Sequence, residues 1–275
     1  MTENDYPIRL QQLTIRYESV PDVLVMFGDE SRTDDLVTYG IVATNGEQHH
    51  LDAKAAWNRV IEAAGGVEDA RVHARELFSG DARARSAWRH LGESEVERLT
   101  LDLMSALVTA GARFFIGVVY KKTYPVEGVP AGLNAKGEQT YVPLTDEIAY
   151  AFGFAAATAA MRTGDHAPLR SGVDYRLYID PQRSKAPLWG HGNLQIRRLI
   201  EGTGLVPTKY DQKPLLLDAA DLLAYAGARA LSDHDARNKA VCREIYGLCS
   251  PQRGHFWWNP QDGVIPEMKY RLGLE

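Results

Sequence analysis

The sequence predicts an α/β fold, a sheet covered by helices, on three observations. Residues 23–28 form a continuous apolar run, closed by Gly28 and the charged pair Asp29-Glu30, which reads as a strand buried on both faces. Amphipathic segments, the clearest carrying Val96, Leu99, Leu103 and Leu107, alternate with further strand-like runs such as 113–120. Residues 215–231 are apolar nearly all round, the pattern of a helix enclosed by other elements. Ligands gather at the carboxyl ends of strands in open α/β sheets, which makes Asp29 and Glu30 the first candidate site. A strand running into a solvated, charged turn accounts for the same two residues.

A chain of 275 residues, 45% of them hydrophobic, can bury a large core, and no stretch reads as a linker, so one domain over 1–275 is expected. A net charge of -5 argues against coating nucleic acid through bulk charge, while leaving room for a local basic groove. Two cysteines, Cys242 and Cys249, are too few for a disulfide framework, and with no signal-peptide pattern they point to a cytoplasmic protein. No apolar run approaches the ~18 residues of a membrane helix.

In chain order, residues 13–17 offer a weak edge strand. Residues 36–44, rich in Val, Ile, Thr and Tyr, read as a second strand in a hairpin with the first. Asp52 has the character of an N-cap, with Trp57, Val60, Ile61 and Ala64 on one helical face and Gly65-Gly66 as the stop. In the short polar segment 72–80, His73 and Glu76 share a face if it is helical. Ser94 and Glu97 have the spacing of a capping box. Strand 113–120 ends on Lys121 and Lys122, and residues 123–143, with Pro, Gly and polar side chains, read as a long loop able to cover a site.

Thr145 can cap a helix whose Ile148, Phe152, Ala155, Ala156 and Ala159 form a small-residue face for close packing on a sheet. Residues 173–179 alternate as a strand and end on Asp180, followed closely by Arg183 and Lys185. Gly190 and Gly192 lack the third glycine of a dinucleotide fingerprint and read as a helix entry into 195–201. Within the apolar helix 215–231 lie Asp218 and Asp221. Burying a carboxylate without a partner costs on the order of several kcal/mol, so these acids need either a structural partner such as Arg229 or a cation shared with other acids. Beyond residue 231, Trp257, Trp258 and Arg253 suit either base stacking or packing on the core. Cys242, Cys249 and His255 match no common zinc spacing and read as structural.

Taken together, these motifs resemble the bacterial DUF3800 family, which is similar to a divergent branch of the RNase H-like superfamily. The resemblance runs over residues 22–231, between an N-terminal extension (1–21) and a C-terminal one (232–275). A strand ending in Asp-Glu-Ser-Gly is matched by Asp29-Glu30-Ser31, with Arg32 in place of Gly. A His-x-x-Glu-Leu segment is matched by His73, Glu76 and Leu77, and a strand ending in Asp by Asp180. A helix of the form Gln-Leu-Ala-Asp-Leu-Leu-Ala-Tyr is matched from Asp218, which replaces Gln, through Asp221 to Tyr225.

The resemblance implies an RNase H-like fold with a central mixed sheet flanked by helices, and hydrolysis of nucleic-acid phosphodiesters assisted by two Mg²⁺ or Mn²⁺ ions. It assigns Asp29, Glu76, Asp180 and Asp221 as catalytic and Asp29, Glu30, Asp180 and Asp221 as metal ligands, with Asp29 central. Glu30 is the weaker of the strand-end pair, since strand alternation turns it to the opposite face. Hard cations take oxygen ligands, and clustered carboxylates repel one another without them. Lys121, Lys122, Arg183 and Lys185 would hold the phosphate backbone, and His73 would contact substrate or support Glu76. Two other readings compete: a non-catalytic module of the same fold that binds nucleic acid or a protein partner, and a metal-dependent hydrolase of small phosphoesters lidded by 123–143. A serine hydrolase is disfavoured by the missing Gly-x-Ser-x-Gly elbow, and no P-loop is present.

Overall fold

The structure, a computed structural model, describes residues 23–124, 128–162, 174–179, 207–208, 215–233 and 238–256. Its centre is a mixed six-stranded sheet flanked by helices. The apolar run reads on through the acids as β1 (Val23–Arg32) and returns as β2 (Leu36–Asn45), antiparallel, with Asp29 opposite Gly40 and Glu30 opposite Tyr39. Arg32, where the resembled pattern carries Gly, lies within the strand and pairs with Val37.

β2 passes directly into α1 (Gly46–Ala63), so Asp52 lies inside the helix rather than capping it. There it accepts a hydrogen bond from the Gln48 side chain one turn earlier, at 2.9 Å. The amide of the N-cap residue Asn45 donates to His49 Nδ1 at 3.0 Å, the reach back to the N-cap amide that a Glu or Gln side chain makes in a capping box. Two short helices, α2 (Ala74–Phe78) and α3 (Gly80–Arg83), precede α4 (Glu93–Thr109). The start of α4 falls two residues before the expected box: the Gly92 amide donates to Glu95 Oε2 at 2.7 Å. Glycine supplies no side chain there, so Glu95 works alone.

Strand β3 (Arg113–Tyr120) pairs antiparallel with β2 and ends in a 3-10 turn at Lys121–Thr123. The expected loop at 123–143 instead contains a second, small sheet, β4 (Val129–Leu133) with β5 (Gln139–Val142). Its turn is made by Asn134, whose Oδ1 accepts the Lys136 and Glu138 amides at 2.9 and 3.0 Å, and by Gly137 at φ 80°. Thr145 caps α5 (Asp146–Ala160) through a hydrogen bond from the Ile148 amide. β6 (Asp174–Ile179) lies parallel to β1, and the two-residue β7 (Pro207–Thr208) lies parallel to β6.

The chain then forms α6 (Leu215–Leu231), α7 (Lys239–Cys249) and β8 (Gln252–Phe256), the last adding a parallel edge beside β3. The strand order is β7-β6-β1-β2-β3-β8. One face is covered by α1, α4, α6 and α7 around Phe27, Val42 and Phe114; α5 covers the other over Met26, Tyr39, Ile41 and Phe115. Cys242 and Cys249 are both buried on the first side, and burial pushes each thiol up to about 12. No described helix is long and apolar enough to cross a membrane. The segments 13–17 and 190–201, and Trp257 and Trp258, lie outside the described residues.

Candidate functional site

β1 is apolar on both sides up to Gly28 because both faces of the sheet are covered. Alternation then separates the two acids at its end. Asp29 follows Phe27 onto the α6 face, and Glu30 follows Met26 onto the α5 face. Both are buried, Asp29 at 6% and Glu30 at 8% exposure, and Asp29 Oδ1 accepts the Glu30 amide at 2.9 Å. Across the sheet from Glu30, the phenol of Tyr39 is pushed well above its ordinary pKa by burial, then by the charges of Glu30 and Asp29.

Asp29 and α6 meet over β2. Gly40, the cross-strand partner of Asp29, shares its face, and a Cβ there would lie 2.9 Å from the Ala224 nitrogen and 3.0 Å from the Ala220 oxygen. Thr38, two residues along, donates its hydroxyl to the Ala224 carbonyl at 2.7 Å. The helical turn 220–224 is therefore pressed against the sheet beside Asp29, and Asp221, 7% exposed, belongs to that turn.

Both acids of α6 have structural partners, though not Arg229. Asp218 Oδ2 accepts the Val72 amide at 2.7 Å, and Asp221 Oδ2 accepts the Ala74 amide at 2.7 Å. Charged acceptors make these among the stronger hydrogen bonds, each worth roughly 1.5–3 kcal/mol. Arg229 lies over the Tyr225 ring, 3.3 Å from its centroid, and Tyr225 stacks on Phe78 and accepts a hydrogen bond from Asn238.

The remaining expected residues are distributed around this core. His73, between the two bonded amides, has Nδ1 3.8 Å from Asp221 Oδ2, a charge pair only when the imidazole is protonated. Glu76, on α2, lies 3.8 Å from Arg71 Nη1, and both side chains are partly exposed. Lys121 pairs with Asp146 at 2.9 Å and donates to the Thr33 carbonyl at 3.2 Å; Arg32 also pairs with Asp146. Lys122 lies 3.6 Å from Asp233, with both side chains largely exposed. Asp180, Arg183 and Lys185 lie outside the described residues; the last residue of β6, Ile179, pairs with Gly28, next to Asp29 in the chain.

The structure thus brings Asp29 and the Asp221 turn to one interface, sets His73 beside Asp221, turns Glu30 to the opposite face and gives Glu76 to Arg71. Among the described residues no group of three or more His, Cys, Asp or Glu side chains is placed to hold a metal ion. The donors at the interface are carboxylate oxygens, the chemistry hard divalent cations take. Sequence reasoning missed Gly40 and the part played by Asp218. The bare position inside a buried strand was a readable sign of close backbone approach, whereas the Asp218 bond joins residues 146 apart in sequence and left no local sign.

Compared with protein-family models, with curated protein sequences and with solved structures, the chain matches none.

Proposed function

We propose that this chain is an RNase H-like nuclease that hydrolyses phosphodiester bonds of DNA or RNA with divalent cations held by carboxylates. The observation that carries the reading is the burial of Asp29, at the end of a central strand, on the sheet face against which the Asp221 turn of α6 is pressed. The sheet supports it: a mixed sheet flanked by helices, with β1-β2-β3 as an antiparallel meander and β6 and β7 parallel to β1, is the kind of architecture the reading expects.

Asp29 and Asp221 are the proposed oxygen ligands, with Asp180 and Glu76 completing the set and Glu30 the least favoured because it faces α5. Bound Mg²⁺ or Mn²⁺ would supply a Lewis acid for the phosphoryl oxygens and an activated water as nucleophile. Asp221, held through Oδ2 by the Ala74 amide, presents its carboxylate in a fixed orientation, and His73 stands where it can exchange a proton or meet the scissile phosphate. Lys122, Arg183 and Lys185 are the proposed backbone contacts; Lys121, committed to Asp146 and Thr33, positions the end of the hairpin instead.

The amide bonds of Asp218 and Asp221 favour a second reading, in which these acids are purely structural and the chain is a binding module. Incubating labelled single-stranded, duplex and hybrid nucleic acids with Mn²⁺ or Mg²⁺ separates the two. The nuclease reading expects cleavage by the wild type that is lost in both Asp29→Asn and Asp221→Asn. Cleavage surviving both substitutions removes the assigned site; no cleavage, together with no cation-dependent rise in Tm, leaves the binding module.

A further inference from the structure

Asp218 has no place in the ligand set above, yet at 2% exposure it is among the most buried charged side chains of the described residues. Its position relative to Asp221 matches the spacing of an extended backbone. Residues three apart on a helix lie on one face with Cβ atoms about 5–6 Å apart. Alternate amides of an extended segment point the same way and are separated by roughly 6.5 Å. The segment 72–74 is extended at His73 (φ -101°, ψ 125°), and it meets α6 through just such a pair: Val72 N–H on Asp218, Ala74 N–H on Asp221, each at 2.7 Å.

One hydrogen bond would fix a point of this segment and leave it free to swing about that point. Two fix its direction as well. The amide that orients Asp221 is therefore held in place by the neighbouring bond to Asp218, and the His73 ring, 3.8 Å from Asp221, is carried by the same clamp. We infer that Asp218 is a positioning residue: through Val72 it anchors the 72–74 segment, which in turn sets the Asp221 carboxylate for a divalent cation. The inference rests on the proposed role of Asp221 as a ligand and adds the residue that orients it.

The test combines calorimetric titration with Mn²⁺ and hydrogen exchange of the peptide spanning residues 70–78, on the full chain. In the wild type, saturating Mn²⁺ should slow exchange in that peptide, because a clamp that orders the ligand must itself be stabilised when the ligand is used. Asp218→Leu, which has no acceptor, should speed that exchange and weaken Mn²⁺ binding about 10–100-fold with the far-UV circular dichroism unchanged. Asp218→Asn, which keeps an acceptor oxygen, should remain within about threefold of wild type. A merely structural role predicts the same rescue of stability, so what separates the two is the loss of Mn²⁺ affinity in Asp218→Leu while its circular dichroism is unchanged.

Faster exchange in Asp218→Leu with unchanged Mn²⁺ affinity overturns the inference while leaving Asp221 as a ligand. If that variant does not fold, the wild-type measurement decides: Mn²⁺ binding without slower exchange at 70–78 overturns it equally. A wild type that binds no Mn²⁺ removes the ligand reading itself, and the inference with it.

Discussion

Gly40 and Ala224 touch backbone to backbone: a Cβ on Gly40 would lie 2.9 Å from the Ala224 nitrogen, closer than real side chains approach. The contact lets α6 settle onto the sheet beside Asp29, and the Thr38 hydroxyl reinforces it through the Ala224 carbonyl. Gly40→Ala should therefore push the helix away and cost about 1–3 kcal/mol, the usual range for overpacking a tight interior. Gly80, with open space around it, is the control: Gly80→Ala should stay within about 0.5 kcal/mol. Urea denaturation of the two variants reads the difference, and equal stabilities would show that the helix has room to move.

At the turn of the β1-β2 hairpin, Asp35 joins it to the C-terminal end of α6. It accepts hydrogen bonds from the Thr33 hydroxyl (2.6 Å), the Ser232 hydroxyl (2.7 Å) and the Asp233 amide (2.9 Å). Burial pushes its pKa up, but these donors together outweigh burial and lower it from 3.8 to about 2. Because the folded value lies below the unfolded one, the unfolded chain takes up the proton first as pH falls. The contribution, roughly 2 kcal/mol, is complete above about pH 4 and lost by about pH 2. Asp35→Asn should lower stability at neutral pH by about that amount and flatten the pH dependence across that window, as measured by denaturation at a series of pH values. A variant that keeps the wild-type slope between pH 4 and 2 would assign that slope to other carboxylates.

Where the signal in the sequence was local, the structure follows it closely. β3 and α6 occupy the expected spans because a strand needs only its apolar run and a buried helix only its unbroken apolar surface. Features set by distant contacts were not legible. Asp52 has the chemistry of a cap, but β2 runs straight into α1, so Asn45 is the N-cap and its amide is met by His49. The short strands β4 and β5 are hidden among turn residues, and β8 is a five-residue edge strand whose partner, β3, lies far back in the chain. The same division runs through the site. The opposite facing of Asp29 and Glu30 follows from period-two alternation, but nothing near Asp218 in sequence announces the Val72 amide.

His50 provides an acid response in a different pH range. Its ring stacks on Phe27 with centroids 5.3 Å apart, on the face of the sheet that also carries Asp29. Burial first, then the neighbouring charges of Lys54 and His49, lower its pKa from 6.5 to about 4. The folded protein thus holds the imidazole neutral where the unfolded chain already binds a proton. Stability from this group is complete above about pH 6.5 and falls as pH drops toward 4, by roughly 3 kcal/mol in all. His50→Phe keeps an aromatic ring against Phe27 and has nothing to protonate. Its stability should be nearly constant between pH 7.5 and 5, while the wild type loses stability over the same interval, and thermal melts at the two pH values read the comparison directly. Equal losses in both proteins would mean that His50 is reached by protons without disturbing the fold, and that the acid response originates elsewhere.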